Sequence, residues 1–282
     1  MSKPDLRTLL RMLDDPDRDT AVSVMAELLR YSGDLMPLLG EFQEDDDPLL
    51  RKRVQQLESI INLRNRRRQF AETLKKNSFN LPDALIELHL LWFDRDNSEM
   101  LKSMLCEFML VAANNDIHNI RELGAFMARN GFAPAPEDER FEPENFCIGA
   151  ILGDRRGADI MLCTLALLAG LDAGLPLVLV RTAGRFAVVS KEGELIAPEN
   201  DWRPERISSL TLGDCWSDPR AVLNYASLMM FLFAVSSDNF RYVHTLGHAL
   251  CGTDEMALLD FLPYPYNGKK NEQMQGESCE NI

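Results

Sequence analysis

One stretch limits the fold of this 282-residue chain more than any other: IMLCTLALLAGLDAGLPLVLV, at 160 to 180. Its length suits a membrane-spanning helix, yet Asp172, Gly174 and Pro176 stand where such a helix would have to continue. The run therefore reads as a buried helix over about 159 to 172, a turn, and a buried strand over 176 to 181. RTAGRFAVVS and ELIA follow, giving strands at 185 to 190 and 194 to 197, with KEGE between them as a hairpin turn in which Gly193 can take positive φ. A buried helix that feeds a short antiparallel strand series is the expected centre of the fold.

The rest of the chain carries helical periodicity. Leu6, Leu9, Leu10 and Leu13 mark one apolar face, an Asp-Pro turn follows, and Val22, Met25, Ala26 and Leu29 mark the next. About 30 residues further on the arrangement recurs around EDDDPLLRKR, where Asp47 can cap a helix and Pro48 fits its first turn. The two copies resemble HEAT-type repeats. Arg51, Lys52, Arg53, Arg64, Arg66, Arg67 and Arg68 make the second helix basic, either as a solvated face answering the acidic EDDD or as a docking stripe. Three more helices are expected before residue 130, with Asp83, Asn97 and Asn115 or Asp116 as caps, and then a Pro-rich surface loop at 133 to 145. After the strands, helices capped by Asp218, Asp238 and Thr253 are expected, followed by a mobile tail. The boundaries drawn are 1–78, 79–215, 216–262 and 263–282.

Charge and cysteine usage narrow the function. A net charge of −14 repels polyanions, which argues against nucleic acid and anionic membrane as partners and favours a protein partner. Six cysteines with no CxxC pair suit reduced thiols, and MSKPDLRTLL lacks the apolar core of a signal peptide, so a cytoplasmic protein is expected. No cofactor motif is evident. Trp92, Trp202 and Trp216 read as core or lid residues, since no basic groove accompanies them.

A helix followed by antiparallel strands can carry a thiol enzyme. The helix N-terminus lowers the pKa of a cysteine, a histidine on a strand takes its proton, and an acid on the next strand holds the imidazole. Residues 141 to 189 bear on this through Glu142-Pro143-Glu144-Asn145, Ile151-Leu152, Arg155-Arg156-Gly157, Ile160 and Leu162, and Gly184 and Phe186. In order and spacing they resemble the SirB-like branch of the transglutaminase-like superfamily. The resemblance implies an α+β, mostly α fold: a HEAT-like helical array, a small antiparallel-sheet transglutaminase-like (papain-like) core, and C-terminal helices.

The departures from that pattern decide the expected function. Asp159, Ile160 and Met161 occupy the helix start where the thiol would sit, Arg185 falls on the histidine position, and Ala197 falls on the acid position. A guanidinium stays protonated and cannot act as a base. The chain therefore reads as a catalytically inactive protein that binds, as a scaffold or regulatory partner, with Arg185 and Asn145, Arg155 and Arg156 shaping a degenerate cleft. Arg155 and Arg156 could equally cap helix ends or stay solvated. The competing reading is a thiol hydrolase or acyltransferase using Cys163 with a base from elsewhere, although Cys163 lies among apolar residues. His244, His248 and Cys251 share a helix face at spacings that could address a metal, but Thr245 stands where a zincin carries glutamate.

Overall fold

The structure, a computed structural model, describes residues 5–31, 33–182, 184–207 and 215–251. The chain divides into two compact units, Met1–Arg66 and Arg67–Ile282.

The first unit holds α1 (Leu6–Arg11), α2 (Arg18–Leu29), α3 (Met36–Gly40) and the start of α4 (Pro48–Lys75). Asp17 opens α2 by accepting from the amides of Asp19 and Thr20, and Asp47 does the same for α4 through Leu49 and Leu50. Leu10, Leu13, Val24, Leu28, Leu39, Leu50, Val54 and Leu57 close over one another as its core. Several arginines of the basic helix are tied into this unit. Arg53 donates to the carbonyls of Leu13 and Asp15, Arg51 to that of Asp45, and Arg64 to that of Leu29, so these guanidinium groups tie down carbonyls at the turns and helix ends of the unit.

In the second unit come α5 (Leu81–Trp92), α6 (Ser98–Ala113), α7 (Ile120–Arg129), β1 (Ala133–Pro134), a 3-10 turn at Pro143–Phe146, α8 (Ile148–Asp154), β2 (Arg156–Gly157) and α9 (Asp159–Asp172). They are followed by β3 (Leu177–Thr182), β4 (Arg185–Ser190), β5 (Glu194–Ile196), a second 3-10 turn at Pro198–Asn200, β6 (Glu205–Arg206), α10 (Pro219–Ser236) and α11 (Phe240–Cys251). Asn97 and Asp218 cap α6 and α10 as the sequence suggests. Asn80, however, takes the place expected of Asp83, and Asn119 that of Asn115 or Asp116. Asn115 instead donates to the Val111 carbonyl, and Asp116 turns the chain at φ 46 before Asn119 begins the next helix. The cap expected at Thr253 lies outside the described residues.

The centre of the fold follows the 160 to 180 run. Every residue from Ile160 to Ala166 is buried, because α9 is enclosed on all sides. Gly174, at φ 78, ends it: the amide of Leu175 returns to the Gly170 carbonyl and the chain reverses into β3. Strands β3, β4, β5 and β6 form one antiparallel sheet in that order, with Val180 opposite Ala187 and Val188 opposite Ile196. Leu179, Phe186, Val188 and Ile196 turn to the main core, whereas Val180, Ala187 and Val189 turn to a small cluster with Leu195 and Cys215. The alternation is that of a sheet covered on both faces.

Helix α10 joins the same core through Val222, Leu223, Ala226, Met230 and Ala234. It is the one described helix long and apolar enough to cross a membrane, by length and composition alone. The chain after β5 is anchored by Trp202, whose Nε1 donates to the Phe132 carbonyl at 2.6 Å and whose backbone sits at φ 61. Gly124 on α7 makes room for it, since a Cβ there would lie 2.4 Å from the Trp202 carbonyl oxygen.

Candidate functional site

Three chain segments meet at the start of α9. The parallel pairing of β1 with β2 brings Pro134 and Ala135 beside Gly157 and Ala158. Asn145 holds this corner from beneath: it is buried, its Nδ2 donates to the Glu139 carbonyl at 2.6 Å, and its own carbonyl accepts from the Ala158 amide at 2.9 Å. The third segment is the sheet, whose β4 begins at Arg185 directly after Gly184, at φ 82. Between them opens a cleft of about 590 Å³. Its wall is apolar and aromatic at Phe141, Phe146, Ile160, Phe186 and Tyr225, and polar at Glu137, Arg140, Asp159, Arg185 and Glu199.

The polar groups are organised around Glu199, which comes from the 3-10 turn after β5 and is only 14% exposed. Arg185 approaches it through Nε at 2.7 Å, and Arg140 through Nη1 at 3.6 Å. Arg185 is otherwise 69% exposed, which leaves its Nη nitrogens open to a second acceptor, and the Nε of Arg140 is buried without a hydrogen-bond partner. Asp159, the first residue of α9, lines the same cleft beside Glu199. Burial pushes the Asp159 carboxyl up to about 6, the Glu199 charge adds to the shift, and Arg140 and Arg185 oppose it. Asp159, Arg185 and Glu199 thus meet at one end of the cleft. The last of these stands two residues beyond the expected Ala197, because β5 stops at Ile196 and the turn swings the following residues back to the cleft.

The other candidates fall elsewhere. Arg155 ends α8 in a left-handed conformation and stacks its guanidinium over Phe132 at 4.8 Å, lining a separate small cavity with Met104, Glu107 and Phe108. Arg156 is exposed on β2 and pairs with Ala133. The structure does not bring either arginine to the Arg185 cleft. Cys163 lies one turn along α9 from Asp159 and is fully buried; burial pushes its thiol well up, with the Asp159 and Glu199 charges adding to the effect. Among the described residues no histidine hydrogen-bonds to it. His89 is committed to structure: its Nε2 lies 2.8 Å from Asp96 Oδ2 and its Nδ1 accepts from the Gly149 amide, so the ring is neutral with its proton on Nε2. Burial depresses its pKa, outweighing Asp96. His244 and His248 lie one turn apart on α11 with their rings tilted and centroids 6.1 Å apart, and Arg67 Nη1 lies 3.0 Å from His244 Nδ1. The Cys251 side chain lies outside the described residues, and among the described residues no group of three potential ligands assembles.

Glu199 and Arg140 are the site residues that sequence reasoning missed. Glu199 lies two residues beyond Ala197, and Arg140 lies in a loop, EDER, whose composition signals only a surface position.

The sequence model of the transglutaminase-like superfamily matches residues 96–202, the stretch that begins just before α6 and ends at the Trp202 anchor. No curated protein and no solved structure matches the chain. With the buried helix, strands β3 to β5 and all of the cleft wall except Tyr225 falling inside the matched stretch, residues 96–202 form a transglutaminase-like superfamily domain.

Proposed function

We propose that the protein is a catalytically inactive transglutaminase-like protein of the SirB-like branch. In this reading it works in the cytoplasm as a protein-binding scaffold or regulatory partner, with its N-terminal helices as a HEAT-like platform. One observation supports this above the others: an arginine paired with a glutamate occupies the place of a general base, beside an aspartate in the place of a nucleophile. Neither a guanidinium nor a carboxylate performs thiol chemistry. What the arrangement can do is hold an anion. Arginine binds carboxylates through two parallel N–H donors, and an acidic side chain or a chain-terminal carboxylate from the partner suits the open Nη face of Arg185.

The test compares binding with chemistry. A thiol-reactive acyl probe applied to native protein is expected to leave Cys163 unmodified, and a partner retained on the immobilised wild-type chain is expected to be lost with Arg185→Ala. Stoichiometric labelling that Cys163→Ala abolishes would establish the thiol-enzyme reading instead.

A further inference from the structure

Beside the start of α9 two guanidinium groups, Arg140 and Arg185, stand against two carboxyl groups, Asp159 and Glu199. With both carboxyls ionised this group is neutral, and the Asp159–Glu199 contact is a repulsion. With one proton between them the contact is a hydrogen bond and the group carries one positive charge. Burial beside the apolar wall makes the protonated arrangement accessible near neutral pH. Glu137 lines the same cleft, so uptake of the proton brings the wall from one net negative charge to neutral and removes the repulsion that an anion beside the two guanidinium groups would meet. The open Nη nitrogens of Arg185 and the unpartnered Nε of Arg140 supply donors for such an anion, and the exposed Phe141 with the half-buried Tyr225 supplies flat surface for the body that carries it.

We infer that the cleft binds a monoanionic carboxylate with a flat apolar body and takes up one proton with it, the carboxylate on Arg185 and Arg140 and the proton between Asp159 and Glu199. The inference rests on the reading that Arg185 holds a carboxylate, and adds the ligand's body and the proton. The groups facing Asp159 come from every neighbouring element: Glu199 from its turn, Arg140 and Glu137 from the loop after β1, Arg185 from β4, Tyr225 from α10, and Cys163 from α9 itself. Burial holds the Cys163 thiol protonated, which leaves the raised Asp159 carboxyl as the group that takes up the proton.

Hippurate, a benzoyl-glycine carboxylate, is the probe, titrated calorimetrically into the full chain at pH 5.5 and pH 8.0 in two buffers of different ionisation enthalpy. Only about one molecule in a hundred carries the Asp159 proton at pH 8.0, so affinity is expected to fall by about 50- to 100-fold between the two pH values. The buffer difference is expected to report close to one proton taken up per hippurate at pH 8.0. Asp159→Asn, which fixes the protonated pattern, is expected to bind equally at both. A second arm uses N-acetyl-Ala-Ala-Gly-Phe as acid and as C-terminal amide: binding of the acid alone identifies a chain terminus as the source, and binding of hippurate without the peptide identifies a free acid. Equal hippurate affinity at both pH values overturns the proton uptake and leaves the Arg185 reading standing. Failure of both acids to bind at either pH overturns both.

Discussion

The carboxyl pair makes the stability of this protein depend on pH in an unusual direction, and Asp159→Asn exposes it. The folded-state value of about 6 against an ordinary 3.8 means that the unfolded chain releases the Asp159 proton first. Stability contributed by the protonated group is therefore fully present below pH 3.8 and lost as pH rises towards 6, with no further change above. A shift of this size corresponds to roughly 3 kcal/mol at about 1.4 kcal/mol per unit. The open cleft admits solvent screening, which reduces the expected cost to about 1–2 kcal/mol. Asparagine keeps the shape and can donate to Glu199 as the protonated acid does, while carrying no charge at any pH. Asp159→Asn should thus exceed wild type by about 1–2 kcal/mol at pH 8 and match it near pH 4. Urea unfolding at intervals from pH 4 to pH 8 measures the difference directly. A variant no more stable than wild type at pH 8, or one with the same advantage at pH 4, would refute the argument that burial and Glu199 strain this carboxyl.

Two further expectations test the supports of the site. Gly124→Ala places a Cβ 2.4 Å from the Trp202 carbonyl oxygen, a backbone atom that cannot swing away, and should cost about 1–3 kcal/mol by denaturant unfolding. His89→Leu leaves the Gly149 amide and the Asp96 carboxylate without their ring partner and should cost about 2–3 kcal/mol. Because the folded-state pKa of His89 lies below its ordinary 6.5, its contribution is present above that value and declines as pH falls through it, and the leucine variant should lose that slope.

The local readings that succeeded were those in which one residue dictates one backbone state. Gly193 turns the β4–β5 hairpin at φ 77, Pro48 starts α4, and the Asp172-Gly174-Pro176 interruption converts a membrane-length apolar run into helix, turn and strand. Caps were displaced where several polar residues compete. Asn115 or Asp116 is expected to cap α7, but the chain turns at Asp116 and it is Asn119 whose side chain reaches the free amides. Long-range pairing left no mark in the sequence. The two-residue strands β1 and β2 carry no periodicity, yet their parallel pairing builds one wall of the cleft. The same limit hid the electrostatics: Arg155 and Arg156 look like natural companions of Arg185, but the left-handed residue ending α8 sends Arg155 to Phe132, while Arg140 arrives from a surface loop. Helices α10 and α11 fold into the same unit as the sheet, because their apolar faces complete a core that the matched stretch leaves open.

The glycine at 124 has a meaning beyond packing. It touches none of the groups that line the cleft, yet it sets how closely Trp202 can seat, and Trp202 fixes the short turn that delivers Glu199. A side chain gained there would slide the acid away from both arginines without altering any residue of the site. Loss of ligand recognition in such a variant would look like a defect of chemistry while its origin lay in the spacing between a helix and a tryptophan.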